Sequence, residues 1–181
     1  MRNQVITPIR CALWVLWLVV GFVQGQSGSP AHLDLGMDVA GPGQHVTLPV
    51  TFSRTGSSTV TRIVLETTFP EQKLLYRETL PGAALESGEL EIEAKLVDSE
   101  DGEGRNRLRV EIFSPQGLPE GELARISFQI SESAELNEDI LVRNISRSIE
   151  TLEGEGQQVA GADGIIAVIA NAFFACLFYM H

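Results

Sequence analysis

Apolar and polar residues alternate one for one in short runs along the middle of this chain. In Glu89–Val97, for instance, Leu90, Ile92, Ala94 and Leu96 are interleaved with Glu89, Glu91, Glu93 and Lys95. A two-residue period is the mark of a strand with one face buried and the other in water. The same pattern runs through Leu33–Val39, Val46–Phe52 and Leu108–Ile112. It also marks the stretch from Ile126 to Ile130, which is entered through a turn containing Gly117. Further strand candidates lie at 59–69, 73–80, 140–151 and 164–169, and clusters of Gly, Pro, Ser and Asp separate them. No amphipathic helical stretch of useful length interrupts the series. The pattern predicts an all-β fold, an antiparallel sandwich of about nine strands. Pro49 falls inside one run and predicts an edge strand or a bulge there.

The chain has 181 residues, 44% of them hydrophobic, enough for one domain with a core of its own. Its formal net charge is −11. Nucleic acid is excluded as a partner, because a phosphate backbone has to be met by Lys and Arg. An anionic membrane repels such a surface unless an apolar anchor intervenes, and solubility outside the cell is the plain reading of the acidity.

Both ends differ from the middle. Residues 1–25 combine Arg2 and Arg10 with an apolar run from Cys11 to Val23 and a small-residue stretch after it, the layout of a secretory signal. That run is about 13 residues, against the roughly 20 that span a bilayer. An uncleaved N-terminal anchor is the alternative. Residues 26–31 read as a Gly/Ser linker and 32–169 as the sandwich. Residues 170–181 read as an apolar tail that packs, touches a membrane or marks a truncated end. The competing reading is a membrane anchor from Gly164, since no charge occurs between Gly164 and Met180. The cysteines are Cys11 and Cys176, so the expected domain has no internal disulfide. The expected location is secreted, either extracellular or on the cell surface.

Catalytic chemistry finds little support. His32, His45 and His181 do not have metal-ligand spacing. No nucleophile elbow, zinc-protease motif or phosphate loop occurs. The acidic loop starting at Asp98 places its glycine one position too early for a calcium loop of the EF-hand type. We expect no enzyme, no metal and no cofactor. Asn144-Ile145-Ser146 is a formal glycosylation triplet. Trp14 and Trp17 both lie in the leader-like segment, which leaves few aromatic platforms for a polysaccharide. Phe52, Phe69, Phe113 and Phe128 are expected in the core.

One hairpin can be drawn further. Glu89, Glu91, Glu93 and Lys95 share a strand face, as do Arg107, Arg109 and Glu111 on the next strand. Antiparallel pairing across the loop at 98–105 is drawn with Glu91 against Arg109 and Glu93 against Arg107. Such a face is either a solvated surface stitched by charge or a polar surface for docking protein.

The order of these pieces resembles the cohesin domain. HVTLPVTFS is similar to the second cohesin strand and TRIVLETTFPEQKLLY to the third with its exit. LRVEIFSPQGLPEGELARISFQI resembles the pair of strands around the family's serine-glycine-x-leucine-alanine segment, and ADGIIAVI the closing strand. The resemblance covers about residues 33–169; it departs from the family at Phe69-Pro70-Glu71, where an aspartate-proline exit is usual. It implies a jelly-roll sandwich and a secreted, non-catalytic module that docks calcium-loaded dockerin modules of polysaccharide-degrading or cell-surface assemblies. By analogy the docking surface is one sheet face formed by the strands at 59–68, 89–97 and 106–113. The outward residues on it are Arg62, Glu66, Glu91, Glu93, Arg107 and Arg109. A carbohydrate-binding sandwich and a structural surface or pilus-associated domain are the alternatives.

Overall fold

The computed structural model describes residues 31–85, 90–97, 104–154 and 156–170. The leader-like segment 1–25, most of the linker, the acidic loop at 98–103 and the tail from 171 lie outside the described residues. Eleven strands are present among the described residues: β1 (Ala31–Leu35), β2 (Met37–Ala40), β3 (His45–Arg54), β4 (Val60–Pro70), β5 (Leu74–Pro81), β6 (Glu91–Val97), β7 (Arg105–Phe113), β8 (Gly121–Ile130), β9 (Glu138–Thr151), β10 (Gly156–Gln158) and β11 (Gly164–Val168). One short 3-10 turn, Ala83–Leu85, is the sole helical element among them.

The strands form two layers. One sheet has the order β1-β3-β8-β5; the other runs β2-β11-β9-β4-β7-β6, with β10 paired to β9. From β1 to β6 successive strands alternate between the layers, the wiring of a jelly-roll sandwich. The inward residues of both sheets meet in one core. Phe52, Phe69 and Phe128 are its largest fully buried side chains, alongside Leu48, Ile63, Leu65, Leu108, Ile112 and Ile126. Phe69 and Phe128 meet edge to face across the layers, with ring centroids 5.0 Å apart.

The first expected strand is two strands in two different sheets. Leu33 and Leu35 point into the core, but Met37 is 73% exposed. The alternation that looks continuous in sequence reverses at Gly36, where the chain crosses from the smaller sheet to the larger. A Cβ on Gly36 would stand 2.5 Å from Pro49 Cγ, so the crossing needs a glycine. Beyond it β2 pairs with β11 in parallel, an exception to the expected antiparallel pairing. β10 is the other addition; it lies in a stretch expected as loop, is wholly exposed, and carries no apolar alternation to betray it.

Pro49 is not on an edge, since β3 lies between β1 and β8. Its carbonyl accepts from the Gly36 N–H at 2.9 Å. The donor that proline lacks therefore falls where β1 has ended, and a register shift follows at Val50/Thr51. Phe113 also differs from expectation. It follows the buried Ile112 directly, so strand geometry turns it to the outer face.

Candidate functional site: a charged sheet face

The outer face of β9, β4, β7 and β6 carries a continuous array of charge. Its strands are laid side by side by the core residues between the charges. Ile63 and Leu65 on β4, and Leu108, Val110 and Ile112 on β7, are all buried. The intervening residues must face outward, and they are Arg62, Val64 and Glu66 on β4 and Arg107, Arg109, Glu111 and Phe113 on β7.

Register then decides which charges meet. Glu66 lies opposite Arg109 in the β4–β7 pair and Arg62 opposite Phe113. Glu66 accepts from Arg107 Nη2 and from Arg109 Nη1, the latter at 3.2 Å. Arg109 Nη2 reaches Glu111 Oε2 at 3.5 Å. Arg62 Nε lies 3.3 Å from Glu111 Oε1 and 3.7 Å from Glu150 Oε2 on β9. The chain of contacts Arg107–Glu66–Arg109–Glu111–Arg62–Glu150 alternates in sign without a break across three strands. Glu66 is the most enclosed member, with its side chain 14% exposed, while the arginines are a third to a half exposed. Single pairs of this kind contribute roughly 0.2–1 kcal/mol, so the array organises the face more than it stabilises the fold. Its guanidinium and carboxylate groups are held in place, as groups that present hydrogen bonds to another surface need to be.

Four of the six expected site residues, Arg62, Glu66, Arg107 and Arg109, join this network. Glu91 and Glu93 share the face on β6 but stay outside it. The expected hairpin register is corrected: Glu91 faces Phe113 and Glu93 faces Glu111, while Arg109 faces Lys95 and Arg107 faces Val97. The cause lies on the inner side. The observed register sets Ile92, Ala94 and Leu96 against Ile112, Val110 and Leu108. The register drawn from charge would have put Ala94 against Asn106 and Leu96 against Gly104. Apolar pairing on the inner face prevails over charge pairing on the outer one, and the arginines find Glu66 on their other side. Among the described residues, Glu91, Glu93 and Lys95 have no ion-pair partner.

Sequence reasoning did not select Glu150, Lys95 or Phe113. Glu150 could not be found without the β4–β9 register, which shifts at Glu66/Thr67. Shallow hollows flank the network, one lined by Glu93, Lys95, Arg109 and Glu111 and another by Arg62, Ser148 and Glu150.

Other candidates from the sequence are occupied within the fold or yield no site. Asn144 donates its side-chain amide to the Leu33 carbonyl at 3.4 Å, and its backbone N–H donates to Asp163 Oδ1 at 2.8 Å. Tyr76 packs at an angle on Phe128, 6.2 Å between centroids, and its hydroxyl meets Thr79 Oγ1 at 3.1 Å. No cluster of metal-ligating side chains occurs among the described residues. No helix among them is long and apolar enough to cross a membrane.

No family model and no curated protein sequence matches the chain. Solved structures do. A non-cellulosomal cohesin from the hyperthermophilic archaeon Archaeoglobus fulgidus aligns with a TM-score of 0.64 at 18% identity, over 84% of this chain and 100% of its own. The third ScaC cohesin of Acetivibrio cellulolyticus, solved in complex with the ScaB dockerin, aligns at 0.60 with 20% identity, over 77% of this chain and 99% of its own. The OlpA cohesin of Clostridium thermocellum, solved in complex with the dockerin Doc918, aligns at 0.62 with 12% identity, over 78% and 100%. The chain has the cohesin fold.

Proposed function

We propose that this chain is a secreted, non-catalytic protein-docking module of cohesin type, and that the outer face of β9-β4-β7-β6 receives a dockerin-like partner. The alternating network that links Arg62, Glu66, Arg107, Arg109, Glu111 and Glu150 carries the reading. It concentrates preorganised charge-assisted donors and acceptors along one sheet face, which suits a protein surface better than a small molecule. Two of the similar structures are cohesins in complex with dockerins, which supports a partner of that class. The leader-like N-terminus supports export to the extracellular space or the cell surface, where such assemblies work. No tryptophan occurs among the described residues, and Tyr76 is engaged in packing, so a polysaccharide partner has less to stack on.

The test is capture of purified dockerin modules by the immobilised chain, with and without a calcium chelator. Calcium-dependent retention supports the reading. Failure to retain any dockerin module in calcium contradicts it.

A further inference from the structure

Every sheet edge among the described residues but one is covered, very short or broken. β1 is covered, because Leu33 N–H donates to the Ala160 carbonyl at 2.8 Å and Leu35 N–H to the Ala162 carbonyl at 3.1 Å. β2 has four residues, and the Asp38 carboxylate takes its Val39 N–H at 2.8 Å. β5 is broken by a register shift between Tyr76 and Glu78 and ends on Pro81. β10 has three residues. β6 has seven, contains neither glycine nor proline, and pairs with β7 without a shift. Its other edge has no strand partner among the described residues. Protected edges are the rule in natural sheets; β6 is guarded only by its outward charges, Glu91, Glu93 and Lys95, which turn away most strands but admit one of complementary charge.

The sequence of this edge fits itself. In antiparallel pairing about Ala94, two copies of Glu91–Val97 set Glu93 against Lys95 of the other copy, and Lys95 against its Glu93, on the outer face. Ile92 falls against Leu96 of the other copy on the inner face, where Leu96 is 50% exposed in the single chain. The charges on β6 also lack satisfaction within the chain. Glu93 faces Glu111 and Lys95 faces Arg109 across the β6–β7 pair, two like-charge contacts side by side. A second copy would place an opposite charge on the free side of each.

We propose that a second copy of this chain docks along β6, in a two-fold antiparallel pairing centred on Ala94 that joins the two larger sheets into one. The symmetry is closed, since the same strand serves both sides. One seven-residue edge makes a small interface, so the association is weak and concentration-dependent. The pairing lies in the plane of the sheet and leaves the faces around Arg62 and Glu66 open; the outward charges of β6, Glu93 and Lys95, are what it shares with the proposed docking face.

Sedimentation equilibrium of the full chain over a wide concentration range tests it, on the native chain and on Glu93→Lys and Lys95→Glu. Each substitution sets like charges against each other across the two-fold while creating an opposite-charge pair with β7, so folding is preserved, as circular dichroism can verify. The native chain should show a monomer–dimer equilibrium, and each variant alone should dimerise at least about tenfold more weakly. An equimolar mixture of the two variants should recover the dimer, because the two lysines on β6 of one variant then meet the two glutamates on β6 of the other. A native chain that stays monomeric throughout, variants that dimerise like the native chain, or a mixture that stays monomeric would overturn the proposal.

Discussion

Arg62 stands over Phe113 from the neighbouring strand, its guanidinium carbon 5.4 Å from the ring centroid. The same guanidinium is shared between Glu111 and Glu150. A ring that would otherwise lie open on the outer face thus serves as a platform for the cation that links Glu111 to Glu150. Arg62→Ala should lower unfolding free energy in denaturant by about 1 kcal/mol or less, because the group is half exposed. Arg62→Lys should recover only part of this, since the ammonium lacks the planar fork.

Glu66 separates two arginines that would otherwise repel. Glu66→Gln leaves Arg107 and Arg109 adjacent without the carboxylate between them. The expected loss is about 1–2 kcal/mol at low salt, shrinking as ionic strength rises. A loss that did not change with salt would mean that packing, not charge, is what the carboxylate supplies.

Gly161 lets the chain after β10 lie against β1. A Cβ there would fall on the Leu33 carbonyl oxygen. Gly161→Ala should push the covering segment off and cost more than about 1 kcal/mol in thermal or denaturant unfolding. Hydrogen exchange should rise at Leu33 and Leu35, whose amides donate to that segment. Unchanged exchange at both would contradict the covering role.

Phe128 ties the layers together, touching Phe69 and Tyr76. Phe128→Ala should cost about 3–5 kcal/mol, a large part of the roughly 5–15 kcal/mol that holds a typical domain. Chemical denaturation gives the value directly.

How much of this was legible in the sequence depends on what each feature rests on. Which residues face inward on β4 and β8, and on β7 apart from Phe113, could be read, because strand geometry forces the alternation. The larger sheet's charged face followed from the same phase. The β6–β7 register could not be read from charge, since shifting it by an even number of residues leaves every side chain on its face. The pairing of Ile92, Ala94 and Leu96 with Ile112, Val110 and Leu108 had to be weighed against the salt bridges, and it was the stronger constraint. The reversal of phase at Gly36 was hidden because Met37 and Val39 continue the apolar series of Leu33 and Leu35. Glu150 joined the site through a β9 whose register shifts beside Ile145, an irregularity that alternation does not announce.

A dockerin-like partner bound on the charged face of β9-β4-β7-β6, as proposed, has to meet Arg62 and Arg109. Calorimetric titration of the full chain with a calcium-loaded dockerin module, native against Arg62→Glu combined with Arg109→Glu, tests it most directly. The native chain should show saturable one-to-one binding, weakened by at least about tenfold in the double variant while circular dichroism stays unchanged. Binding that survives the double reversal at full strength would contradict it, as would a native chain that binds no dockerin module.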